Sequence, residues 1–209
     1  MIAVVDYGRG NLGSVEKAFG RLGMPAVVTQ DPRAVSESEA VVLPGDGAFH
    51  DAMDTLGALG LLDPLRDCIE SGRPFLGICL GYQLLFTESE EFGQGKGLDV
   101  VPGAVRRFPT GLKVPHMGWN EVEHRGDLRL FDGIPSGAHF YFVHSYYPET
   151  GDASLAVAPC TYGVTFPAAI ERGPLFATQF HPEKSQRWGL RMLENFAAFV
   201  RARRSSPSA

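Results

Sequence analysis

Cysteine is scarce in this chain of 209 residues, which contains only Cys68, Cys79 and Cys160. Three irregularly spaced cysteines make no disulfide framework, and without a Cys-x-x-Cys pair nothing indicates zinc. Apolar runs stay well below the roughly 18 residues of a membrane span, and residues 1–6 lack the basic leader of a signal peptide. We therefore expect a protein without metal or cofactor, located in a reducing cytoplasm and not in a membrane.

Blocks of like charge are also missing. Lysine and arginine number 19 against 24 aspartates and glutamates, which gives a net charge of −5, and these residues are scattered. Nothing therefore indicates a nucleic-acid surface. The length and the 44% of hydrophobic residues suit one globular domain with a substantial core. We expect a single domain over residues 1–203 and a disordered tail over 204–209.

Short apolar segments alternate with amphipathic ones as far as Glu91, which is typical of βαβ units and a parallel sheet. The strands expected here are 2–6, Ala26–Thr29, 40–43 and 74–78. The expected helices are 12–22, 80–86 and a region 48–70 that Gly57, Gly60 and Pro64 divide into two.

After Glu91 glycine and proline are frequent and helical periodicity disappears. The strands expected in this part are 105–108, 121–124, 139–143, 168–171 and 176–180. A helix over about 188–203 closes the chain, with apolar residues at helical spacing. The fold class is therefore α/β: an open, mostly parallel, flavodoxin-like sheet with flanking helices and an added antiparallel β region.

The strongest local motif is Gly77-Ile78-Cys79-Leu80-Gly81. A cysteine with glycine at i−2 and i+2, between a strand and a helix, is typical of a nucleophile elbow. So sharp a turn brings the flanking backbone together, and glycine fits there because it has no Cβ. In isolation the motif also suits a buried structural cysteine. Whether Cys79 is a nucleophile therefore depends on the residues that could act with it.

The partner motif is Gln179-Phe180-His181-Pro182-Glu183, which follows an apolar strand. Residues i and i+2 of an extended segment face the same way, and Pro182 disfavours helix at His181. We expect His181 to act as the base for Cys79 and Glu183 to orient the imidazole. A lone His-Pro-Glu also suits an ordinary turn. The presence of the cysteine elbow in the same chain favours the catalytic interpretation over that one.

Acyl transfer also needs hydrogen-bond donors for the developing oxyanion. The backbone N–H of Leu80, inside the elbow, is one candidate. The loop of Gly45, Asp46 and Gly47 follows another expected strand and so lies at the same sheet edge. It is the second candidate for the oxyanion hole, although alone it would suit an ordinary strand-to-helix turn.

These motifs resemble those of class I, triad-type glutamine amidotransferases, in which a Gly-x-Cys-x-Gly elbow and a His-Pro-Glu sequence, here 181–183, form the triad. More narrowly, the chain is similar to the glutaminase subunits of imidazole glycerol phosphate synthase, an enzyme of histidine biosynthesis. Residues 7–12, 113–120 and 141–146 carry this narrower resemblance, and Pro-His-Met-Gly-Trp-Asn within them is its most specific part. The likeness covers residues 1–199.

The resemblance implies a reaction and its binding residues. Cys79 would form a glutamyl thioester with glutamine and release ammonia, and water would then hydrolyse the thioester to glutamate. Gln83 and Glu91 match positions that bind glutamine, and residues 45–47 match the oxyanion hole.

The resemblance also implies a heterodimer with a (β/α)₈-barrel cyclase subunit. That partner would use the ammonia to make imidazole glycerol phosphate and an aminoimidazole carboxamide ribonucleotide. An enclosed path suits this transfer because free ammonia is readily protonated in water. Five residues match positions at or near the interface: Asn11, Met117, Trp119, Tyr141 and Lys184. The aromatic residues among them would also suit an ordinary core, and the lysine a solvated surface.

Asp46 departs from the family pattern, which usually has an apolar residue there. A carboxylate beside a developing negative charge is unfavourable, so we expect this side chain to face away from Cys79. An Asp46→Val protein should then show no large gain in activity.

Three other functions fit part of the sequence. Another triad glutaminase, such as one that feeds pyridoxal phosphate synthase or anthranilate synthase, should lack the Met117-Gly118-Trp119 stretch. A catalytically silent binding protein should lack a triad member. A redox-sensing or hydrolytic cysteine enzyme leaves Gln83 and Glu91 unexplained.

Overall fold

The computed structural model describes residues 1–205. Its helices are α1 Leu12–Arg21, α2 Pro32–Glu37, α3 Phe49–Ala58, α4 Leu62–Glu70, α5 Leu80–Gln83 and α6 Gln186–Ser205. Its strands are β1 Ile2–Val5, β2 Ala26–Thr29, β3 Ala40–Gly45, β4 Phe75–Cys79, β5 Phe86–Ser89, β6 Gly95–Lys96, β7 Val101–Arg107, β8 His116–Val122, β9 Ala138–His144, β10 Tyr146–Glu149, β11 Ala156–Tyr162, β12 Val164–Arg172 and β13 Leu175–Thr178. Short 3₁₀ turns occupy Arg129–Phe131 and Pro182–Lys184.

The closing helix is longer than expected at both ends. Because α6 extends to Ser205, the tail proposed over 204–209 would begin inside it, and residues 206–209 lie outside the described part of the chain. Among residues 1–205, no helix is both long and apolar enough to cross a membrane.

The central sheet has the strand order β11-β12-β13-β4-β3-β1-β2. The strands from β2 to β13 in this order run parallel, whereas β12 and β11 are antiparallel additions at one side. This arrangement confirms the expected α/β class with a mostly parallel sheet. β13 comes late in the chain but lies beside β4, so the segments that follow these two strands meet.

The rest of the second half forms a four-stranded sheet, β10-β7-β5-β6, and a hairpin of β8 and β9. Within the smaller sheet β5 pairs with β7 in parallel, while its other pairs are antiparallel. The added β region is therefore mixed rather than antiparallel throughout.

The central sheet is buried on both faces, which explains why β1 is apolar at every position. Ile2 and Val4 face the core formed with α1 and α6, whereas Ala3 and Val5 face the core formed with α3 and α4. All four side chains are fully buried. The two helical layers thus hold the sheet, and with it the strand ends, in a fixed position.

Two expected elements had wrong bounds, and five elements were missed: helix α2 and strands β5, β6, β10 and β11. The helix predicted over 80–86 ends at Gln83, because the chain enters the second sheet as β5 at Phe86 and pairs there with β7. The strand predicted over 121–124 begins earlier, at His116, through its pairing with β9. Helix α2 was missed although Asp31 caps it, accepting a hydrogen bond from the Arg33 N–H at 2.9 Å.

The elbow glycines are required by close backbone contacts. A Cβ placed on Gly81 would lie 1.8 Å from the carbonyl oxygen of Leu43 in β3. A Cβ on Gly77 would lie 2.9 Å from the carbonyl oxygen of Gly81. The expected reason for these glycines, a turn too tight for a Cβ, is therefore confirmed, and the tighter contact is with the neighbouring strand.

We expect Gly81→Ala to destabilise the protein by about 3 kcal/mol or more, because α5 would have to move away from β3. Gly20→Ala is a matched control: Gly20 lies in α1 with nothing within 4 Å of an added Cβ. It should stabilise the protein by roughly 0.5–1 kcal/mol through helix propensity. Denaturant unfolding measures both changes, and equal stabilities for the two variants would contradict this account.

Candidate active site

Three neighbouring strands bring the expected catalytic groups to one edge of the central sheet. The last residues of β3 and β4, Gly45 and Cys79, are register partners in a parallel pair. On the other side of β4, Thr178 of β13 lies beside Ile78. Because parallel strands end at the same edge, the oxyanion loop, the nucleophile and the histidine segment are assembled there.

Cys79 is the turn residue between β4 and α5. Its backbone has φ 55° and ψ −107°, a left-handed conformation that costs on the order of 1–3 kcal/mol for a residue with a side chain. Its Sγ lies 3.9 Å from the carbonyl oxygen of Val143 and 3.8 Å from Nε2 of Gln179. The strained turn thus holds the sulfur at the sheet edge, as in a nucleophile elbow.

His181 and Glu183 form the expected pair, with Nδ1 and Oε1 2.8 Å apart and both side chains at most 5% exposed. The reason expected for their alignment was wrong. They do not share an extended row, because Pro182–Lys184 is a 3₁₀ turn that brings the carboxylate back to the ring. The turn is held in place by a hydrogen bond from the His181 N–H to the Tyr141 carbonyl at 3.0 Å.

The protonation of His181 reflects opposing effects. Burial alone lowers the pKa of His181, but negative charge on Cys79 and on Glu183 together raises it well above its usual range. Nε2 of His181 is buried and makes no hydrogen bond of standard geometry within residues 1–205. Cys79 raises the pKa of His181 both through its charge and through a hydrogen-bonding interaction. Because Nδ1 is bonded to Glu183, Nε2 is the ring nitrogen that can take the thiol proton.

The oxyanion loop is tied to the segment after β1. Asp46, expected to face away from Cys79, is exposed and lines the same cavity as Cys79. Its Oδ1 accepts a hydrogen bond from the Gly10 N–H at 3.1 Å, which ties one carboxylate oxygen to the segment after β1. Leu80 is the first residue of α5, so its N–H has no acceptor within the helix. Gly45 and Gly47 flank Asp46, and Gly47 has a φ of 91° that favours glycine.

A cavity of about 440 Å³ opens onto Cys79 and His181, two of the three expected triad residues, and its lining also includes Gln83, Glu91 and Lys184. Larger hollows of about 540 and 470 Å³ lie elsewhere on the surface, but their linings contain none of the triad. The triad cavity is therefore the chemically relevant one.

The two residues expected to bind glutamine both lie in this cavity. Gln83 Nε2 donates to the Tyr146 carbonyl at 2.9 Å, which leaves its side-chain oxygen to accept from a ligand. One carboxylate oxygen of Glu91 accepts the Phe49 N–H at the start of α3, at 2.7 Å. Both side chains are thus held in place by the main chain.

The residues expected at a partner interface fall into two groups. Met117 and Trp119 of β8 are 62% and 46% exposed, and the Trp119 ring packs edge-on against Tyr141 of β9 at 6.0 Å. Lys184 is exposed at the triad cavity, and Asn11 precedes α1 without a side-chain capping bond. The first group forms an exposed aromatic surface on the β8–β9 hairpin.

Several site residues were missed from the sequence. Gln179 is fully buried beside Cys79, and the buried Tyr7 hydroxyl next to Gly45 has no hydrogen-bond partner among the described residues. The position of Gln179 two residues before His181 was the available signal.

A buried histidine pair was also missed. His116 and His144 are cross-strand partners with ring nitrogens 2.9 Å apart. Burial lowers the pKa of His116 to about 4 and that of His144 to about 3, so both rings are neutral at pH 7. His144 Nδ1 donates to the Tyr146 carbonyl at 2.7 Å, the same oxygen that accepts from Gln83.

A family model described as "Glutamine amidotransferase class-I" matches residues 3–199. The chain belongs to this family. The predicted resemblance to class I glutamine amidotransferases is therefore confirmed. The matched residues include both the cysteine elbow and the histidine turn.

Curated relatives narrow the family further. The imidazole glycerol phosphate synthase subunit HisH of Syntrophotalea carbinolica is 55% identical over 203 residues, which cover 94% of this chain and 98% of the relative. HisH of Moorella thermoacetica is 54% identical over 200 residues, covering 96% and 95% of the two chains. The narrower resemblance seen in the sequence is thus also confirmed.

Solved structures of class I amidotransferases share the fold. A putative GMP synthase component from Thermoplasma acidophilum matches with a TM-score of 0.74 and 23% identity, covering 98% of this chain and 95% of that one. Because the identity is low, this likeness supports the architecture alone.

We expect iodoacetamide at pH 7 to modify Cys79 almost exclusively. Burial raises the pKa of Cys68 to about 11 and that of Cys160 to about 12, so these thiols carry little reactive thiolate. Peptide mass spectrometry locates the label. A Cys79→Ala protein should stay unlabelled over the same period, and equal labelling of all three cysteines would count against the proposed nucleophile.

Proposed function

We propose that this amidotransferase hydrolyses glutamine through a Cys79–His181–Glu183 triad and passes the ammonia to a cyclase subunit. The partner then makes imidazole glycerol phosphate and an aminoimidazole carboxamide ribonucleotide for histidine biosynthesis. The main support for the catalytic mechanism is the buried His181–Glu183 pair. The pKa of His181 is raised by Cys79, which lies in a strained turn at the same sheet edge. The similarity to HisH subunits supports the choice of pathway.

The reaction follows from the positions of the triad groups. His181 Nε2 takes the proton from the Cys79 thiol, and the sulfur forms a bond to the carboxamide carbon of glutamine. The developing oxyanion receives hydrogen bonds from the Leu80 N–H and the loop 45–47. The imidazolium then returns its proton to the leaving nitrogen, the C–N bond breaks, and ammonia departs. Water, deprotonated by His181, hydrolyses the resulting thioester to glutamate and the free thiol.

The cavity groups suit an amino-acid substrate. The side-chain oxygen of Gln83 and the Glu91 carboxylate are acceptors for an ammonium group, whereas Lys184 supplies a positive charge for a carboxylate. All three line the same cavity as Cys79. We therefore assign them to recognition of the glutamine backbone groups, at the opposite end from the reacting amide.

The partner surface is proposed to include Asn11, Met117, Trp119, Tyr141 and Lys184. Exposed aromatic and methionine side chains are typical of interface cores. The carbonyl of Tyr141 accepts the hydrogen bond from His181 N–H, so the exposed hairpin is bonded directly to the catalytic turn. The described cysteines are free thiols, which is consistent with a cytoplasmic location for this complex.

The deciding experiment measures glutamate release by the chain alone and in complex with a cyclase that has its nucleotide substrate bound. We expect the isolated chain to be slow and the loaded complex to be strongly stimulated. In that complex, Cys79→Ala should reduce glutamate release on the order of 10³-fold or more, because the nucleophile is lost.

Cys160→Ala is the matched control, since Cys160 is a buried thiol outside the triad cavity, and it should keep most of the activity. Full activity of the isolated chain would contradict the partner-dependent part of the proposal. Glutamate release by the Cys79→Ala complex at the normal rate would contradict the triad.

A further inference from the structure

A buried chain of amide groups leads from a main-chain carbonyl to the sulfur of Cys79. Gln83 Nε2 donates to the Tyr146 carbonyl and to Gln179 Oε1, each at 2.9 Å. Gln179 Nε2 in turn lies 3.8 Å from Cys79 Sγ. Gln179 is fully buried and Gln83 is only 5% exposed, so the hydrogen bond between the two amides is shielded from bulk water.

The direction of this chain follows from its first link. A main-chain carbonyl can only accept hydrogen bonds, so Gln83 must turn its NH₂ group toward Tyr146. The same NH₂ group reaches Gln179, which must therefore present its carbonyl oxygen. The NH₂ group of Gln179 is then the end that faces Cys79. One backbone carbonyl thus fixes the orientation of two side-chain amides.

The two contacts of the Cys79 sulfur suit different protonation states. The Val143 carbonyl is an acceptor, so it can interact favourably only with the neutral S–H group. The Gln179 NH₂ group is a donor, and its hydrogen bond strengthens when the sulfur becomes negatively charged. Loss of the thiol proton to His181 therefore weakens the first contact and strengthens the second.

We propose that Gln179 is a further catalytic residue, which donates a hydrogen bond to the Cys79 thiolate and stabilises it for attack on the substrate. Gln83 acts on the same step as a positioning residue, because it fixes the orientation of the Gln179 amide. The inference deepens the proposed function, since it rests on Cys79 as the nucleophile. Its test, however, measures the reactivity of the thiol without glutamine.

Gln179→Met removes the donor and keeps most of the side-chain volume. We expect alkylation of Cys79 by iodoacetamide at pH 7 to slow about tenfold, which corresponds to one hydrogen bond to a charged group. A higher pH should also be needed to reach the same alkylation rate, because the thiolate has lost a stabilising donor.

Gln179→Glu keeps the shape of the side chain and an acceptor for Gln83 but replaces the donor by a carboxylate. Alkylation should slow further, because the carboxylate and the thiolate of Cys79 repel each other. The melting temperature of each variant shows whether it is folded. If Gln179→Met does not fold, Gln179→Glu decides the question on its own.

Thr178→Val is the matched structural control. Thr178 is fully buried next to Gln179, and its hydroxyl donates to the Phe180 carbonyl at 3.0 Å. This variant loses a buried hydrogen bond at the end of β13, but it keeps the hydrogen bonds from Gln83 to Gln179 and from Gln179 to Cys79. It should lower stability and leave the alkylation profile of Cys79 unchanged.

Titratable groups lie on every side of the Cys79 sulfur. His181 is bonded to Glu183, and Tyr7 and Asp46 lie toward the oxyanion loop. Glu91, His144 and Lys184 line the same cavity as Cys79. The three variants leave all of these residues in place. A shift of the alkylation profile in the Gln179 variants, without one in Thr178→Val, therefore reports on the amide donor.

Alkylation profiles of both Gln179 variants that match the unmodified protein would overturn the inference. If the unmodified complex still releases glutamate in that case, the proposed function stands without Gln179. If the profiles shift as expected but the complex releases no glutamate, the Gln179 donor stands and the proposed function fails.

Discussion

The catalytic edge depends on the close approach of α5 to β3, where the backbone of Gly81 packs against the Leu43 carbonyl. This contact lets the chain reverse at Cys79 through a left-handed residue. Because β3 continues into the loop at Gly45, the same contact also fixes the spacing between the sulfur and the proposed oxyanion hole. Hydrophobic layers on both faces of the sheet supply the stability that offsets the strained turn.

Burial and nearby negative charge have opposite effects on the pKa of the buried histidines. Burial would keep His181 neutral, but Cys79 and Glu183 supply enough negative charge to reverse that tendency. By contrast, the histidine pair of β8 and β9 has no carboxylate within hydrogen-bonding distance among residues 1–205 and is kept neutral by burial. The same side-chain type is therefore favoured in its charged form at the proposed catalytic position and in its neutral form between β8 and β9.

The parallel sheet and the placing of Cys79 near the His181–Glu183 pair could be predicted because local chemistry encodes them: apolar strands, glycines at the elbow, and a histidine two residues before a glutamate. The order of β13 in the sheet could not, since strand neighbours depend on long-range packing. For the same reason Gln179 was missed, because its importance arises only when β13 lies beside β4. The helix predicted beyond Gln83 failed because pairing with β7 overrides local helix propensity. The Asp46 carboxylate was recognised as unusual, but its bond to Gly10 requires the folded loop.

The central claim is that the amide of glutamine is broken by covalent attack of Cys79. Acid quenching of the loaded complex during turnover, followed by peptide mass spectrometry, tests this most directly. We expect a glutamyl group attached to the peptide that contains Cys79, and no such group on the same peptide when glutamine is left out. Glutamate formation at the full rate, with no adduct on Cys79 at any quench time and a Glu183→Gln protein as fast as the unmodified one, would contradict it.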